Sequence, residues 1–335
     1  MDRLGFFKQG LSSMMEAAQS VIGLKKAAES FNEVVEEALS GIAPDIGLHL
    51  PSLDATMYDS PSGTLYEVGE MGYTMVEVGC YYNGTSYGVK AEELRHLAQS
   101  SGLKIAGLYL NKFYEKPERT TQDGATPEEA TPEGASSKAE EQTTLSAEEP
   151  TTLSAEDKAW WEKAIESAVA MKCRYVTTPS YPMESSAATV NDYAQYYSAV
   201  GAMANEQGMI FCYHPSRREL TEQGEQGNES IFDQIAAATS PEQVSFQIDT
   251  LEATEANADI CKLIKRYGKR IASLHLHDVD ITTESGRIDF DKIIRVAGEC
   301  GVKDIFIEVS NFPLPPQNCV ERSLRNVELL DSVRF

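Results

Sequence analysis

Basic residues are scarce in this chain: 29 lysines and arginines stand against 52 aspartates and glutamates, a formal net charge of -23 over 335 residues. An anionic surface of that size repels a phosphate backbone or an acidic bilayer, which argues against nucleic acid and membrane as partners. The sequence has no run of about 18 apolar residues, so no helix is expected to cross a membrane. Cysteine is sparse as well. The six (Cys80, Cys173, Cys212, Cys261, Cys300 and Cys319) are scattered and form no C-x-x-C pair, so they are expected to be buried free thiols of a reducing compartment. No Gly-x-Gly-x-x-Gly follows the first apolar run and no P-loop appears, which weighs against a nucleotide-binding open sheet.

A continuous apolar stretch is also missing from the N-terminus. Residues 1–44 carry apolar positions at helical spacing, among them Leu11, Met14, Met15, Ala18, Val21 and Ile22. Glu16, Lys25, Lys26, Glu29 and Glu33 interrupt them, which excludes a signal peptide. The opening run Asp2-Arg-Leu-Gly-Phe-Phe-Lys8 lacks the second arginine of a twin-arginine export start. The expected compartment is therefore the cytoplasm, with export by that degenerate start as the minor alternative. The segment is expected to be an amphipathic helical extension that packs on the domain or on a partner.

What is abundant is acid in one place. Residues 118–157 hold eleven acids against Arg119 and Lys138, in a background of Thr, Ala, Pro, Ser and Gly that cannot bury a core. The stretch contains a tandem duplication, Thr143-Thr-Leu-Ser-Ala-Glu-Glu149 followed by Thr151-Thr-Leu-Ser-Ala-Glu-Asp157. It is expected to be a disordered insertion in a surface loop. Without it and the N-terminal extension, about 250 residues remain, the usual size of a (β/α)8 barrel.

That remainder alternates in the required way. Short apolar runs at Ile46–Leu50, Met75–Gly79, Lys104–Leu110, Tyr175–Thr178, Ile210–His214, Val244–Asp249, Ala272–His277 and Asp304–Val309 give eight candidate strands. Between them lie stretches of helical periodicity: Gly63–Met71, Val89–Ser101, Ala159–Lys172, Val190–Gln207, Ser230–Ala238, Ala256–Tyr267 and Asp289–Cys300. Repeated β-then-α order predicts an α/β TIM barrel over residues 45–335, with the acidic insertion after the third strand. Trp160 and Trp161 open one of these helices and are expected to pack in the core.

Side chains along a barrel strand alternate between the helix layer and the interior, and catalytic groups sit at the C-terminal strand ends. In Val244-Ser-Phe-Gln-Ile-Asp249 the apolar residues share one parity, so Asp249 points inward. The same test turns His275 and His277 inward from Ala272, Leu274 and Leu276, and Glu308 inward from Ile305, Ile307 and Val309. It also places Glu77 and His49 inside, and His214 ends its strand. Four of five histidines and three carboxylates thus converge on one mouth; His96 falls in a helix instead. Mixed oxygen and nitrogen donors of this kind suit a single divalent metal such as Mn2+, Mg2+, Co2+ or Zn2+.

The run Tyr267-Gly-Lys-Arg-Ile-Ala-Ser-Leu-His-Leu-His-Asp278 resembles a signature of the sugar phosphate isomerase/epimerase family, the xylose isomerase-like TIM barrels. So do Gly47-Leu-His-Leu50, Gly63-Thr-Leu-Tyr-Glu-Val-Gly-Glu-Met-Gly-Tyr73, Val76-Glu77, Tyr213-His214, Gln247-Ile-Asp249 and Ile307-Glu308, in the family's order from about Ile46 to Leu330. The family includes ketose 3-epimerases and inosose dehydratase. The resemblance implies one divalent metal held by Glu219, Asp249, His275 and Glu308. At the fifth strand many relatives read Tyr-His-Asn-His-x-x-Glu-Phe; this chain has Tyr213-His-Pro-Ser-Arg-Arg-Glu-Leu220, with Pro215 and Ser216 in place of Asn and the second His. His277 stands where relatives usually carry lysine.

The activity so implied is proton transfer beside a sugar carbonyl through an enediolate, with Glu308 and Glu219 as the acid/base pair. His49, Glu77, His214, His277 and Arg217 are the candidate substrate-binding residues. The partner is a small-molecule sugar or sugar derivative, and a homo-oligomer is compatible with the family. Two alternatives stay open: a lyase of the inosose dehydratase type, and a degenerate barrel that binds a sugar without turning it over. An endonuclease of the same superfamily is discounted, because its three zinc ions demand more ligands than this chain offers.

Overall fold

A computed structural model of the chain describes residues 45–112, 153–180, 187–221, 229–279, 288–302 and 304–333. The expected N-terminal helical extension over 1–44, and the acidic insertion as far as residue 152, lie outside them. Eight parallel strands form a closed barrel: β1 (Asp45–His49), β2 (Met75–Val78), β3 (Lys104–Tyr109), β4 (Tyr175–Pro179), β5 (Ile210–His214), β6 (Ser245–Asp249), β7 (Ile271–His277) and β8 (Asp304–Glu308). Each strand lies beside its sequence neighbours, and β8 closes onto β1 with Ile46 opposite Ile305 and Leu48 opposite Ile307. This is the expected (β/α)8 architecture.

A helix follows each strand and packs on the outside: α1 (Pro61–Met71), α2 (Ala91–Ser100), α3 (Ala155–Met171), α4 (Ala187–Glu206), α5 (Ile231–Ala238), α6 (Ile260–Tyr267), α7 (Phe290–Glu299) and α8 (Pro316–Glu328). Their starts follow from capping chemistry. Ser230 and Asp233 form a capping box at α5, while Asp259 and Asp289 accept the N–H groups of Lys262 and Lys292 at α6 and α7. The main core fills the space between sheet and helices. Trp161 is wholly buried in it and donates from Nε1 to the Tyr196 hydroxyl at 2.7 Å, which joins α3 to α4 and bears out the core reading.

Several boundaries differ from expectation. The helix expected from Val89 begins at Ala91, because residues 81–90 form a small three-stranded meander instead. Helix α3 begins inside the acidic stretch, where Ser154 caps it by accepting the Asp157 N–H, and the Asp157 carboxylate pairs with Lys112 at 2.8 Å. Three of the cysteines, Cys173, Cys212 and Cys319, are buried free thiols, whereas Cys80, Cys261 and Cys300 are partly exposed. No helix among the described residues is long and apolar enough to cross a membrane.

The barrel interior is layered. Met75, Ala106 and Phe306 form an apolar plug of their own, separate from the outer core. Gly47 sits against it, where a Cβ would come within 3.0 Å of both Met75 and Phe306. Apolar side chains below exclude water from the floor of whatever lies above them. Above them lies a polar layer.

Candidate metal and sugar site at the C-terminal mouth

Register decides which side chains meet. His49 lies opposite Glu77 across β1 and β2, His275 opposite Asp249 across β7 and β6, and His277 opposite Glu308 across β7 and β8. Between β2 and β3 the register slips by one residue, so that Gly107 comes opposite Glu77. The missing side chain leaves the room that the glutamate needs: a Cβ on Gly107 would lie 3.1 Å from Glu77 Oε1. A bulge beside a functional carboxylate re-aims the strand, and here it opens space for one.

Glu77 is the hub of the layer and is fully buried. Its Oε2 accepts from His49 Nδ1 at 2.6 Å and from His275 Nε2 at 2.9 Å, and its Oε1 accepts from Gln247 Nε2 at 2.9 Å. His275 Nδ1 donates in turn to Glu308 Oε2 at 2.6 Å. Both ring nitrogens of His275 therefore face carboxylates, which requires an N–H on each and an imidazolium ring unless a cation takes the place of one of the protons. Burial alone would lower the His275 pKa; the charge of Glu77 and the bonds to both carboxylates overcome it and push the value up to about 10. Burial would likewise raise the Glu77 carboxyl, but His275 and His49 hold it well below the usual carboxylate range.

A second chain of contacts runs along β6 to β8. His277 Nδ1 donates to Asp249 Oδ2 at 2.7 Å, while its Nε2 meets the Ser310 hydroxyl at 2.7 Å and lies 3.8 Å from Glu308 Oε1. Burial opposes the charged ring, yet the Asp249 bond and charge push the His277 pKa up to about 9. His214 behaves in the opposite sense. It donates from Nδ1 to Gln247 Oε1 at 3.0 Å, and burial with the nearby charge of His275 lowers its pKa.

The structure brings His49, Glu77, His214, Asp249, His275, His277 and Glu308 into this one network, all from the expected positions. Two candidates fall elsewhere. Glu219 lies in the short helix Arg217–Leu220 after β5, where its carboxylate accepts from the backbone N–H and hydroxyl of Ser216 in a capping box. Its other oxygen, Oε1, is buried without a hydrogen-bond partner among the described residues. Arg217 is exposed and pairs with Glu255 at 2.9 Å, away from the network. The sequence reading also passed over Gln247, Ser273 and Ser310. The parity of Asp249 predicts Gln247, two residues earlier on the same strand, and the parity of His275 predicts Ser273, which accepts from Gln247 at 2.9 Å. Ser310 lies beyond the end of β8, where parity no longer applies.

Three sets of ligand atoms lie close enough to hold a cation, each within 4.8 Å of one another: His49, Glu77 and His275; His214, Asp249 and His275; and Asp249, His277 and Glu308. The donor chemistry fits a borderline divalent ion, since each set mixes imidazole nitrogen with carboxylate oxygen. The charge fits too. Among the described residues, the ion pairs to Glu77, Asp249 and Glu308 come from histidine and from no lysine or arginine. A cavity of about 290 Å3 opens beside these groups, lined by His49 and Glu308 below and by the loops after β1 and β8 above.

A sequence profile of the xylose isomerase-like TIM barrels matches residues 65–324. The chain belongs to that family. A sugar phosphate isomerase/epimerase from Parabacteroides distasonis has a TM-score of 0.69 at 20% identity, over 87% of this chain and 99% of its own. A family 2 AP endonuclease from Brucella melitensis has a TM-score of 0.54 at 13% identity, over 83% of this chain and 96% of its own. A D-psicose 3-epimerase crystallised in the presence of D-fructose has a TM-score of 0.52 at 11% identity, over 85% and 99%. At such identities these likenesses establish the barrel fold. No relative of curated function matches the chain. Within the xylose isomerase-like barrel, the polar mouth just described occupies the face where this architecture carries its chemistry.

Proposed function

We propose that the protein is a sugar isomerase or epimerase that moves a proton on a carbon beside a carbonyl, with a divalent metal held by His214, Asp249, His275 and Glu308. One observation supports the reading: two ligand clusters, His214 with Asp249 and His275, and Asp249 with His277 and Glu308, share Asp249 at the ends of β5 to β8, next to a cavity that Glu308 lines. His214 takes the fifth-strand place in this set, because it lies in one ligand cluster with Asp249 and His275 and Glu219 lies in none. When bound, a divalent cation supplies Lewis-acid polarisation of the carbonyl and keeps the neighbouring hydroxyl oriented.

The chain's own groups supply the rest. With a cation in place of one His275 ring proton, Glu308 would give one oxygen to the cation and keep the other to take a proton from the substrate carbon. Glu77, itself bonded to His49, holds the His275 ring from the far side, as a carboxylate that orients a ligating histidine does. His277 is the second proton-bearing group, with Ser310 between it and the cavity. The apolar plug beneath keeps water from the floor, which preserves the strength of these charges.

The test is proton exchange. Mn2+-loaded protein incubated with a panel of ketoses and inososes in D2O is expected to place deuterium on the carbon beside the carbonyl of at least one of them. Glu308→Gln is expected to slow that exchange by about 100-fold or more. Conversion without deuterium entry, or exchange undiminished in Glu308→Gln, would overturn the reading.

A further inference from the structure

Gln247 brings no charge to the mouth, yet it decides where one proton sits there. It is wholly buried on β6 and reaches three other strands. Its Nε2 lies 2.9 Å from Glu77 Oε1 on β2 and 2.9 Å from Ser273 Oγ on β7, and its Oε1 lies 3.0 Å from His214 Nδ1 on β5. The two ends of a carboxamide have nearly the same shape, so their partners must tell them apart. Glu77 does so. A carboxylate only accepts, and Glu77 is ionised between His49 and His275, so the amide nitrogen has to face it. Both amide hydrogens are then used, one on Glu77 and one on Ser273, and the carbonyl oxygen is left for His214.

An amide oxygen carries no hydrogen, so the hydrogen in that contact belongs to His214 Nδ1. The His214 ring is buried, and its centroid lies 5.0 Å from that of His275, which stands between two carboxylates as a cation in chelator-treated protein. A second cationic ring at that distance is disfavoured, so His214 is neutral with its one proton on Nδ1. Nε2 then carries the lone pair. Which nitrogen of a histidine is free to ligate is set by the hydrogen bond that the other one makes. We infer that Gln247 is a positioning residue that holds His214 in its Nδ1–H form and so presents the Nε2 lone pair to a divalent cation shared with Asp249 and His275. This rests on the proposed metal site and adds how its fifth-strand ligand is prepared before the metal arrives. The same amide ties that ligand to the Glu77 hub, and through Glu77 to His275.

The experiment is two-bond proton–nitrogen correlation spectroscopy of the chelator-treated full chain labelled with 15N-histidine. The chain has five histidines, and the His214 signals are those lost in His214→Gln. Wild type is expected to show Nδ1 of His214 protonated and Nε2 bare. Gln247→Met, unbranched and of similar volume but without polar hydrogens or a carbonyl, is expected to move the proton to Nε2 in a measurable fraction of molecules. Gln247→Glu still offers His214 an oxygen and, in its acid form, offers Glu77 a donor, so it is expected to keep the proton on Nδ1. Mn2+ affinity, read by electron paramagnetic resonance, is expected to fall about 10-fold or more in Gln247→Met and to recover in Gln247→Glu. A wild-type His214 protonated on Nε2 overturns the inference, and that reading needs no variant to fold. A Gln247→Met protein that keeps the proton on Nδ1, or that binds Mn2+ as wild type does, also overturns it. The Nδ1–H ring and its loss in Gln247→Met, found without deuterium exchange on any sugar, would uphold the inference and sink the isomerase reading. Exchange in a protein whose His214 is protonated on Nε2 would do the reverse, so the two fail separately.

Discussion

The behaviour of the mouth turns on single residues whose charge, among the described residues, is answered by histidine. Glu77 is the clearest case, since it is fully buried and contacts His49, His275 and Gln247 at once. Glu77→Gln leaves a buried imidazolium without its partner, and is expected to cost about 3–5 kcal/mol in denaturant unfolding. A loss below about 1 kcal/mol would mean that the network is not the hub described here. The histidines also set a pH dependence. In chelator-treated protein His275 and His277 bind their protons more tightly folded than unfolded, with values pushed up to about 10 and about 9 from the ordinary 6.5. The stability they contribute is complete below about pH 6.5 and is lost as pH rises through 9 to 10. Calorimetry is expected to show the melting temperature falling over that range, and His277→Gln to flatten the fall.

At the scale of elements, parity along the strands made most of the site legible in the sequence. It put Asp249, His275, His277, Glu308, Glu77 and His49 inside because each alternates with apolar neighbours on a buried sheet, and a one-residue error would have inverted them all. The rule ran out where the backbone leaves the strand. Glu219 sits five residues past β5, where family likeness suggested a ligand; local capping holds one of its carboxylate oxygens, and it joins none of the ligand clusters. The bulge that sets Gly107 opposite Glu77 was equally invisible, because a register slip depends on the partner strand. Gly107→Ala tests it. The added methyl meets a carboxylate pinned by three donors, and a loss of about 1–3 kcal/mol is expected; a neutral result would show that Glu77 can move.

For the whole molecule, the barrel and its helix ring were readable because eight apolar runs of strand length alternate with helical periodicity, whereas the edges of the acidic stretch were not. Its last residues belong to the fold, since Ser154 caps α3 and Asp157 holds Lys112. Deleting residues 118–152 is therefore expected to leave the melting temperature within a few degrees, while extending the deletion to 157 removes the cap and the ion pair and is expected to lower it by a further ~4 °C or more. An equal effect of the two deletions would contradict the boundary. The central claim is that the histidines and carboxylates of β5 to β8 form one metal site that excludes Glu219. Metal content by plasma mass spectrometry, on wild type, Asp249→Asn and Glu219→Gln purified alike with Mn2+ supplied, tests it most directly. The account predicts about one equivalent in wild type and in Glu219→Gln, and little in Asp249→Asn. Metal lost from Glu219→Gln but kept by Asp249→Asn, or no metal in any of the three, would contradict it.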